Sequence, residues 1–278
     1  MYEMLKEQLT QYILNHEKNC VTAEDAISER MIGLTLWDAP LLGVADAADP
    51  LFCQLRREGV VHAEYPLPTW WLPGAKRVLS FFLPFTARIK RSNGMDAFKA
   101  SPEWLHGRIE GHEMLNLAGA FLCRCLEQAG YAAVMPSTDS RFSLYHSYAS
   151  NWSERHVAFI CGLGTFCASK GLITAKGIAG RFGSVITDCP DIEITPRTYA
   201  DIYEYCIQCN ACAHRCPVQV IDLSRGLDQA KDHSVCGPYV AASMTAPQGK
   251  SQKRRYGCGK CQVRVPCADG IPLKRNRA

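Results

Sequence analysis

The residues of this sequence best suited to chemistry are cysteines, which number fifteen in 278 residues. Cys206, Cys209, Cys212 and Cys216 lie close together and are followed at once by Pro217. Spacings of two, two and three residues before a proline are typical of thiolates that bind a 4Fe–4S cluster. In proteins with two such clusters the fourth cysteine binds the other cluster, so this pattern predicts a second set of cysteines.

A second set does follow in the sequence. It consists of Cys236, which stands alone, and of Cys258, Cys261 and Cys267. Two cubane clusters need eight thiolates, which is the number that the two sets supply together. The sequence therefore predicts a protein that transfers single electrons.

Zinc is the simplest alternative ligand for these cysteines. Zinc sites also use C-x2-C pairs, but they usually separate two pairs by about 12 or more residues, and this spacing is tighter. A disulfide framework is disfavoured because the chain is long enough for its own core and its N-terminus lacks a secretory pattern. Most of the other seven cysteines are expected to be small buried hydrophobic residues: Cys20, Cys53, Cys123, Cys125, Cys161, Cys167 and Cys189.

Length and composition limit the architecture and the location. A chain of this length forms one large domain or a domain with a smaller appendage, and 47% apolar residues provide a sizeable core. No run of 18 apolar residues occurs, so no membrane span is predicted. Many cysteines without a signal peptide indicate a reducing, cytoplasmic location.

Charge is concentrated at the C-terminal end. Residues 249–278 contain nine Lys or Arg and one acid, Asp269, so this segment carries +8 while the whole chain carries +4. One interpretation is a solvated surface that offsets the charge of anionic clusters. Another is a docking surface for an acidic electron donor, and RNA binding is the less favoured third interpretation.

Hydrophobic periodicity outlines the elements that must position the cysteines. Residues 31–75 indicate short elements and loops, and residues 201–278 have too little apolar periodicity to fold without clusters. Helices are expected at residues 1–30, at Pro102–Gly130 and at Ser153–Cys161, the last with Ser153 as its N-cap. Strands are expected at Arg77–Phe85, Tyr131–Met135 and Gly183–Thr187.

A glycine-rich segment, GLGTFCASKG, follows the helix predicted at Ser153–Cys161. Gly162 and Gly164 give G-x-G, but Cys167 stands where a dinucleotide-binding motif has its third glycine, and no P-loop pattern is present. The glycines are expected to permit a tight turn and a close approach to a bulky group.

These features together resemble the superfamily of epoxyqueuosine reductases and reductive dehalogenases, which are cobalamin-dependent iron–sulfur enzymes. The resemblance covers roughly residues 131–270 well and the first 130 poorly. Its stretch ER-x-x-A-x-x-x-GLG is matched by Glu154, Arg155, Ala158, Gly162, Leu163 and Gly164. Its stretch G-K-x-x-x-L-I-T is loosely matched by Ser169, Lys170, Gly171, Leu172, Ile173 and Thr174.

The resemblance implies an α+β fold with a nitroreductase-like α/β core over residues 1–200 and a ferredoxin-like domain with two 4Fe–4S clusters over residues 201–278. It implies a corrinoid in a pocket between them, contacted by Gly162, Gly164, Thr165, Ser169, Lys170 and Thr174. It also assigns the ligands of one cluster to Cys206, Cys209, Cys212 and Cys267. The ligands of the other cluster are then Cys216, Cys236, Cys258 and Cys261.

Three departures from the family pattern affect these expectations. Five residues separate Cys261 from Cys267, where three are usual. Tyr148 occupies the place of the aspartate acid of epoxyqueuosine reductases, which suggests a different substrate, since tyrosine is the type of proton donor in reductive dehalogenases. The helical-repeat tail with which epoxyqueuosine reductases grip tRNA is missing, which argues against a tRNA substrate.

The resulting hypothesis is a corrinoid-dependent reductase of a small molecule, reduced by a low-potential donor such as ferredoxin or flavodoxin. Tyr148 is the expected proton donor, with Arg155 lowering its pKa or holding an anionic substrate. Asp139 and His146 are the reserve candidates. Nucleic acid and membrane are not expected partners, whereas a homodimer is compatible with a nitroreductase-like fold.

Three alternatives stay open at this point. The first is an electron-transfer or corrinoid-activating protein without an organic substrate. The second is an epoxyqueuosine (tRNA) reductase. The third is a protein without cobalamin whose pocket holds flavin or no cofactor, which rests on fold analogy alone.

Overall fold

A four-stranded antiparallel sheet forms the centre of the molecule in a computed structural model that describes residues 1–146 and 149–273. The strand order is β1-β2-β8-β3. Its strands are β1 Leu41–Asp46, β2 Arg77–Pro84, β3 Ala133–Val134 and β8 Gly180–Thr187. Two small antiparallel pairs complete the β structure: β4 Leu144–His146 with β5 Ala149–Ser150, and β6 Gly164–Phe166 with β7 Leu172–Thr174.

Helices cover the sheet and connect its strands. They are α1 Tyr2–Asn15, α2 Pro50–Gln54, α3 Pro68–Trp71, α4 Ala87–Met95, α5 Pro102–Gln128, α6 Glu154–Ile160, α7 Ala211–His214 and α8 His233–Ala242. Across residues 1–146 and 149–273, none of them combines the length and the apolar character that a membrane crossing requires. The mixture of helices and antiparallel strands confirms the predicted α+β class.

Strand β2 is apolar except at Arg77 and Ser80, because both faces of the sheet are covered. Leu79 and Phe81 belong to the larger core, which they share with residues of α1 and α5. Val78 points to the opposite face and packs with residues of α6 in a second core. Successive side chains of a strand alternate between faces, so a strand covered on both sides appears in sequence as an unbroken apolar run.

Helix α5 begins and packs as its sequence predicts. The Oγ of Ser101 accepts a hydrogen bond from the backbone N–H of Trp104 at 3.2 Å, and Pro102 occupies the first turn. Gly107 lets the helix approach Phe85, since an added Cβ would lie 2.6 Å from that ring. The helix is thereby held against the end of β2, with its N-terminal half close to the C-terminal segment.

The N-terminal helix and one strand differ from the prediction. Helix α1 ends at Asn15, well short of residue 30, because His16 is extended and Cys20 bridges to Thr35. Strand β1 lies inside the stretch that was expected to be loops and short elements, and it pairs along its full length with β2. At Ser153 the side chain bonds His156 Nδ1 at 2.7 Å and does not cap α6.

Candidate iron–sulfur centres and an adjacent cleft

Cys206, Cys209, Cys212 and Cys267 line one small cavity. Burial raises the pKa of Cys212 to about 12, and the charges of Cys206 and Cys209 add to the effect. Burial likewise raises the pKa of Cys267, with contributions from the other three thiols. A 4Fe–4S cluster needs four thiolate ligands, and four thiols line this cavity. Their deprotonated forms repel one another, and a bound iron cluster would relieve that repulsion.

Local backbone conformation wraps the first three thiols around this cavity. Gln208 and Asn210 both adopt left-handed conformations, with φ of 51° and 60°. Alternation of such residues with ordinary ones makes a tight loop of the kind that surrounds anionic groups. The loop is anchored to the core by Tyr205, whose backbone N–H donates to the Oγ1 of Thr165 at 2.9 Å.

The extra residues before Cys267 are absorbed by a turn. Val265 is buried, and its carbonyl accepts a hydrogen bond from the N–H of Ala268 at 2.9 Å. The carbonyl of Cys267 accepts one from Ile178 at 3.0 Å. Cys267 therefore still reaches the cavity despite the departure from the usual spacing.

The remaining four cysteines form a second group. Burial raises the pKa of Cys261, with the charges of Cys236 and Cys216 adding to the effect and that of Lys231 opposing it. Burial and the charges of Cys261 and Cys236 raise the pKa of Cys258 to about 11. Within residues 1–146 and 149–273, however, no three cysteine, histidine or acidic side chains are arranged so that they could hold a metal ion. The division of the eight thiols into the two quartets that the resemblance implies therefore stays a prediction.

Helices α4 and α5 hold the loop of the second quartet. The buried Nζ of Lys260 donates to the carbonyl oxygen of Asn93 at 2.8 Å, and the Nδ2 of Asn93 donates to the carbonyl of Cys258 at 2.9 Å. Gly259, with φ of 67°, packs so closely on Trp104 that no side chain fits there. This loop therefore depends on the core for its conformation.

Cys167 is a fifth thiol in the wall of the first cavity. It is buried as predicted, and its Sγ lies 3.2 Å from the Oγ of Ser169. Its position next to the quartet was not predicted, because only the tertiary fold brings the glycine-rich segment to the cysteine loop. The sole signal in the sequence is its place within that segment.

The residues predicted to contact a corrinoid make contacts within the protein. Thr174 Oγ1 donates to the carbonyl of Gly177 at 2.8 Å. Lys170 Nζ donates to the carbonyls of Leu227 and Asp228, both at 2.7 Å, and so links the core to the cysteine-rich region. Gly162 and Gly164, like Lys170, have positive φ, and Gly164 lies against the backbone of β7. These contacts give the segment a structural role, and its contact with a corrinoid stays a prediction.

Arg155 lies close enough to the cysteines to interact electrostatically with Cys167 and Cys261. Its side chain is solvent-accessible, yet the surrounding protein lowers its pKa, while the charges of Cys167 and Cys261 act in the opposite direction. Its Nη1 donates to the carbonyl of Lys170 at 2.7 Å. Burial together with the charges of Arg155 and Lys170 lowers the pKa of His156 to about 3, so this imidazole is neutral. Arg155 and Lys170 therefore make the surroundings of His156 positively charged.

The candidate proton donors have different outcomes. Tyr148 lies outside the described residues, as does the side chain of His146. Asp139 bonds Arg141 through both carboxylate oxygens, at 2.8 and 2.7 Å, and this pairing lowers its pKa to about 2. Because Asp139 is ionised at neutral pH, its environment argues against a role as the acid.

Part of the basic C-terminal segment points inward. Arg255 is buried and binds Glu110 with Nη2 to Oε1 at 2.8 Å. Lys253 pairs with Asp25 at 2.7 Å, and Lys260 is buried against α4. The segment therefore presents less charge to solvent than its composition suggested, which weakens the case for a large docking surface.

Glu154 is a buried acid that sequence reasoning assigned only to a motif. Neither of its carboxylate oxygens has a hydrogen-bond partner among the residues described, and both are shielded from solvent. Burial raises its pKa to about 8, and the nearby Ser184 hydroxyl opposes this only in part. Glu154 is therefore largely protonated at neutral pH.

This raised pKa makes stability depend on pH. The folded protein holds the proton more tightly than the unfolded chain, so no cost exists below the ordinary pKa near 4.5, and the cost is complete above about 8. Glu154→Gln removes it. We expect the melting temperature of the variant to rise relative to wild type between pH 5 and pH 9, reflecting on the order of 4 kcal/mol at the upper end. A difference that stays constant over this range would contradict the assignment.

Solved structures with the same architecture are epoxyqueuosine reductases and reductive dehalogenases. The protein matches the epoxyqueuosine reductase from Streptococcus thermophilus with 17% identity and a TM-score of 0.53, over 84% of this chain and 64% of that one. It matches a selenomethionine-labelled epoxyqueuosine reductase with 18% identity and a TM-score of 0.51, over 98% of this chain and 67% of that one. The chain has the fold of this superfamily.

A third match is a reductive dehalogenase whose structure suggests a mechanism for B12-dependent dehalogenation. Identity is 16% and the TM-score is 0.51, over 84% of this chain but only 30% of that one. The chain thus spans about two thirds of the reductases and less than a third of the dehalogenase. No protein-family description and no curated protein sequence matches. The comparisons confirm the resemblance at the level of the fold.

Proposed function

We propose that this protein is an iron–sulfur reductase that passes single electrons through two 4Fe–4S clusters to a cobalamin-type cofactor and a small-molecule substrate. The observation that supports this proposal most strongly is the cavity lined by Cys206, Cys209, Cys212 and Cys267, within a fold shared with epoxyqueuosine reductases and reductive dehalogenases. Two adjacent clusters suit stepwise delivery of electrons from the surface to a buried acceptor.

The residues of this chain have distinct roles in the proposal. Cys206, Cys209, Cys212 and Cys267 would bind one cluster, and Cys216, Cys236, Cys258 and Cys261 the other. When bound, the clusters supply electrons at potentials down to about −700 mV, and a corrinoid supplies a low-valent cobalt centre. Arg155 interacts electrostatically with Cys167 and Cys261, so its positive charge would offset the negative charge of bound clusters.

Two arginines could bind the polar substituents of such a cofactor. Arg155 is accessible to solvent, and the Nε of Arg108 is buried without a hydrogen-bond partner in the described part of the chain. Buried polar atoms are normally satisfied, so an orphaned donor indicates a ligand that supplies the acceptor. These residues fit a cofactor with polar substituents.

Two further parts of the proposal concern protons and electrons. We propose Tyr148 as the donor of the substrate's proton, and the environment of Asp139 supports this choice over the reserve acid. We also propose that a ferredoxin or flavodoxin supplies the electrons, attracted by the net positive charge of residues 249–278.

Titration with hydroxocobalamin tests the cofactor assignment. We expect its addition to anaerobically purified, cluster-loaded protein to change the visible spectrum of the corrinoid and to saturate near one equivalent. Measuring released flavin in the same sample provides the control. An unchanged spectrum in a sample that contains flavin would contradict the proposal and favour a flavoprotein.

A further inference from the structure

Two partly buried arginines, Arg108 and Arg181, form no ion pair with a carboxylate among the described residues. Ion pairs with carboxylates are formed by other arginines in residues 1–146 and 149–273, namely Arg77, Arg141, Arg197 and Arg255. Arg108 and Arg181 are not among them, although both side chains are partly buried. Buried charges are normally paired, so two neighbouring exceptions need a physical cause.

Three separate segments bring these arginines together. Arg108 lies on α5 and Arg181 on β8, and this helix packs on this strand. Tyr256 belongs to the C-terminal segment, and its ring centroid lies 4.4 Å from the guanidinium carbon of Arg108. His112 is one helical turn beyond Arg108 and therefore shares its face of α5. The grouping thus depends on the assembled fold.

Electrostatics shows that the group is not compensated internally. Burial, together with the charges of Arg108 and Arg155, lowers the pKa of Arg181 to about 10. Burial also lowers the pKa of His112, with contributions from both Arg181 and Arg108. No carboxylate contributes to either shift.

Negative charge on the cysteines does not account for the two unpaired arginines, Arg108 and Arg181. Thiol charges raise the pKa of Arg155, so bound clusters would neutralise that residue. No thiol contributes to the pKa of Arg181 or of His112. The orphaned Nε of Arg108 gives a second, geometric sign that an acceptor is missing at this point.

We propose that Arg108 and Arg181, with His112 and Tyr256 beside them, bind the oxyanion of a ligand, a carboxylate or a phosphate. Guanidinium groups match the planar geometry of such oxyanions and bind them through paired hydrogen bonds. The anion comes either from the substrate or from the phosphate of a corrinoid's nucleotide loop. This identification of the source rests on the proposed function, whereas anion binding itself does not.

The test uses inorganic phosphate and benzoate as probes of the full-length, cluster-loaded protein, measured by calorimetry at constant ionic strength. We expect both anions to bind wild type and Arg181→Gln to weaken them at least tenfold, since hydrogen bonds between charged groups have this strength. Arg91→Gln removes an exposed arginine of α4 and serves as the matched control, with affinity unchanged. Iron content is expected to be the same in all three proteins.

A measurement on wild type covers the case in which Arg181→Gln does not fold. Phosphate should raise the melting temperature above that in sodium chloride of equal ionic strength. It should also protect arginine from phenylglyoxal, with Arg108 and Arg181 identified by mass spectrometry. Absence of binding to wild type, or equal binding by Arg181→Gln and wild type, would overturn the proposal.

A final arm distinguishes the two sources. Tighter binding of cobalamin than of cobinamide, which lacks the nucleotide loop, with the difference lost in Arg181→Gln, would assign the site to the corrinoid phosphate. Equal binding of both corrinoids, with benzoate still bound, would assign it to an anionic substrate. If anions bind but no corrinoid does, the proposed function fails and the oxyanion site stands.

Discussion

Cys258→Ser is expected to remove one cluster and leave the other, so that iron falls from about eight to about four atoms per chain. The reason is that Cys258 neighbours Cys261 and Cys236, whereas the first quartet lines its own cavity. Iron assay together with electron paramagnetic resonance of the reduced protein would measure the loss. One of two reduced-cluster signals should disappear.

A matched control and a reciprocal variant sharpen this result. Cys53→Ser changes an exposed cysteine far from both quartets in sequence and should retain all the iron. Cys209→Ser, also at an exposed cysteine, should remove the signal that Cys258→Ser leaves. Loss of the same signal in both variants would show that the eight cysteines do not form two independent sites.

Glu110→Ala is expected to lower the free energy of unfolding by about 3–5 kcal/mol, which corresponds to a fall of about 10 °C in melting temperature. Glu110 is buried and accepts hydrogen bonds from Arg255 and from His106, at 2.8 Å in each case. His106 Nε2 accepts from the N–H of Ile27, so its Nδ1 carries the proton. Removing the carboxylate leaves the buried guanidinium of Arg255 unpaired.

Two comparisons separate this effect from a general loss of charge. Glu113→Ala removes a nearby acid of α5 whose bond to Lys18 is partly exposed, and it should cost less than about 1 kcal/mol. Glu110→Gln combined with Arg255→Met should recover much of the stability, because no unpaired charge stays buried. A Glu110→Ala protein as stable as Glu113→Ala would contradict the account of how the C-terminal segment is held.

The long elements of the core were predictable because local pattern and packing agree. The apolar run beginning at Arg77 became a central strand, and the helix beginning at Pro102 has the cap and first-turn proline that its sequence indicates. Strand β1 was not singled out, since six residues flanked by proline and aspartate give little periodicity. Its place is fixed by pairing with β2, a contact between distant residues.

The candidate site shows the same contrast between local and long-range information. Regular spacing allowed the cluster ligands to be predicted from sequence, because ligands of one cluster are largely local, and their binding of clusters stays a prediction. The neighbourhoods of Cys167, Arg108 and Arg181 were not predictable, since each depends on which segments the fold brings together. Arg255 illustrates the point: in sequence it belongs to a basic run, yet in the fold it is buried against Glu110.

Elemental analysis of oxygen-free protein tests the central claim most directly. Iron, acid-labile sulfide and zinc should be measured on one wild-type sample purified anaerobically. The account predicts about eight iron and eight sulfide per chain, with negligible zinc. Stoichiometric zinc without sulfide would contradict it, because the thiols would then bind a metal that carries no electrons.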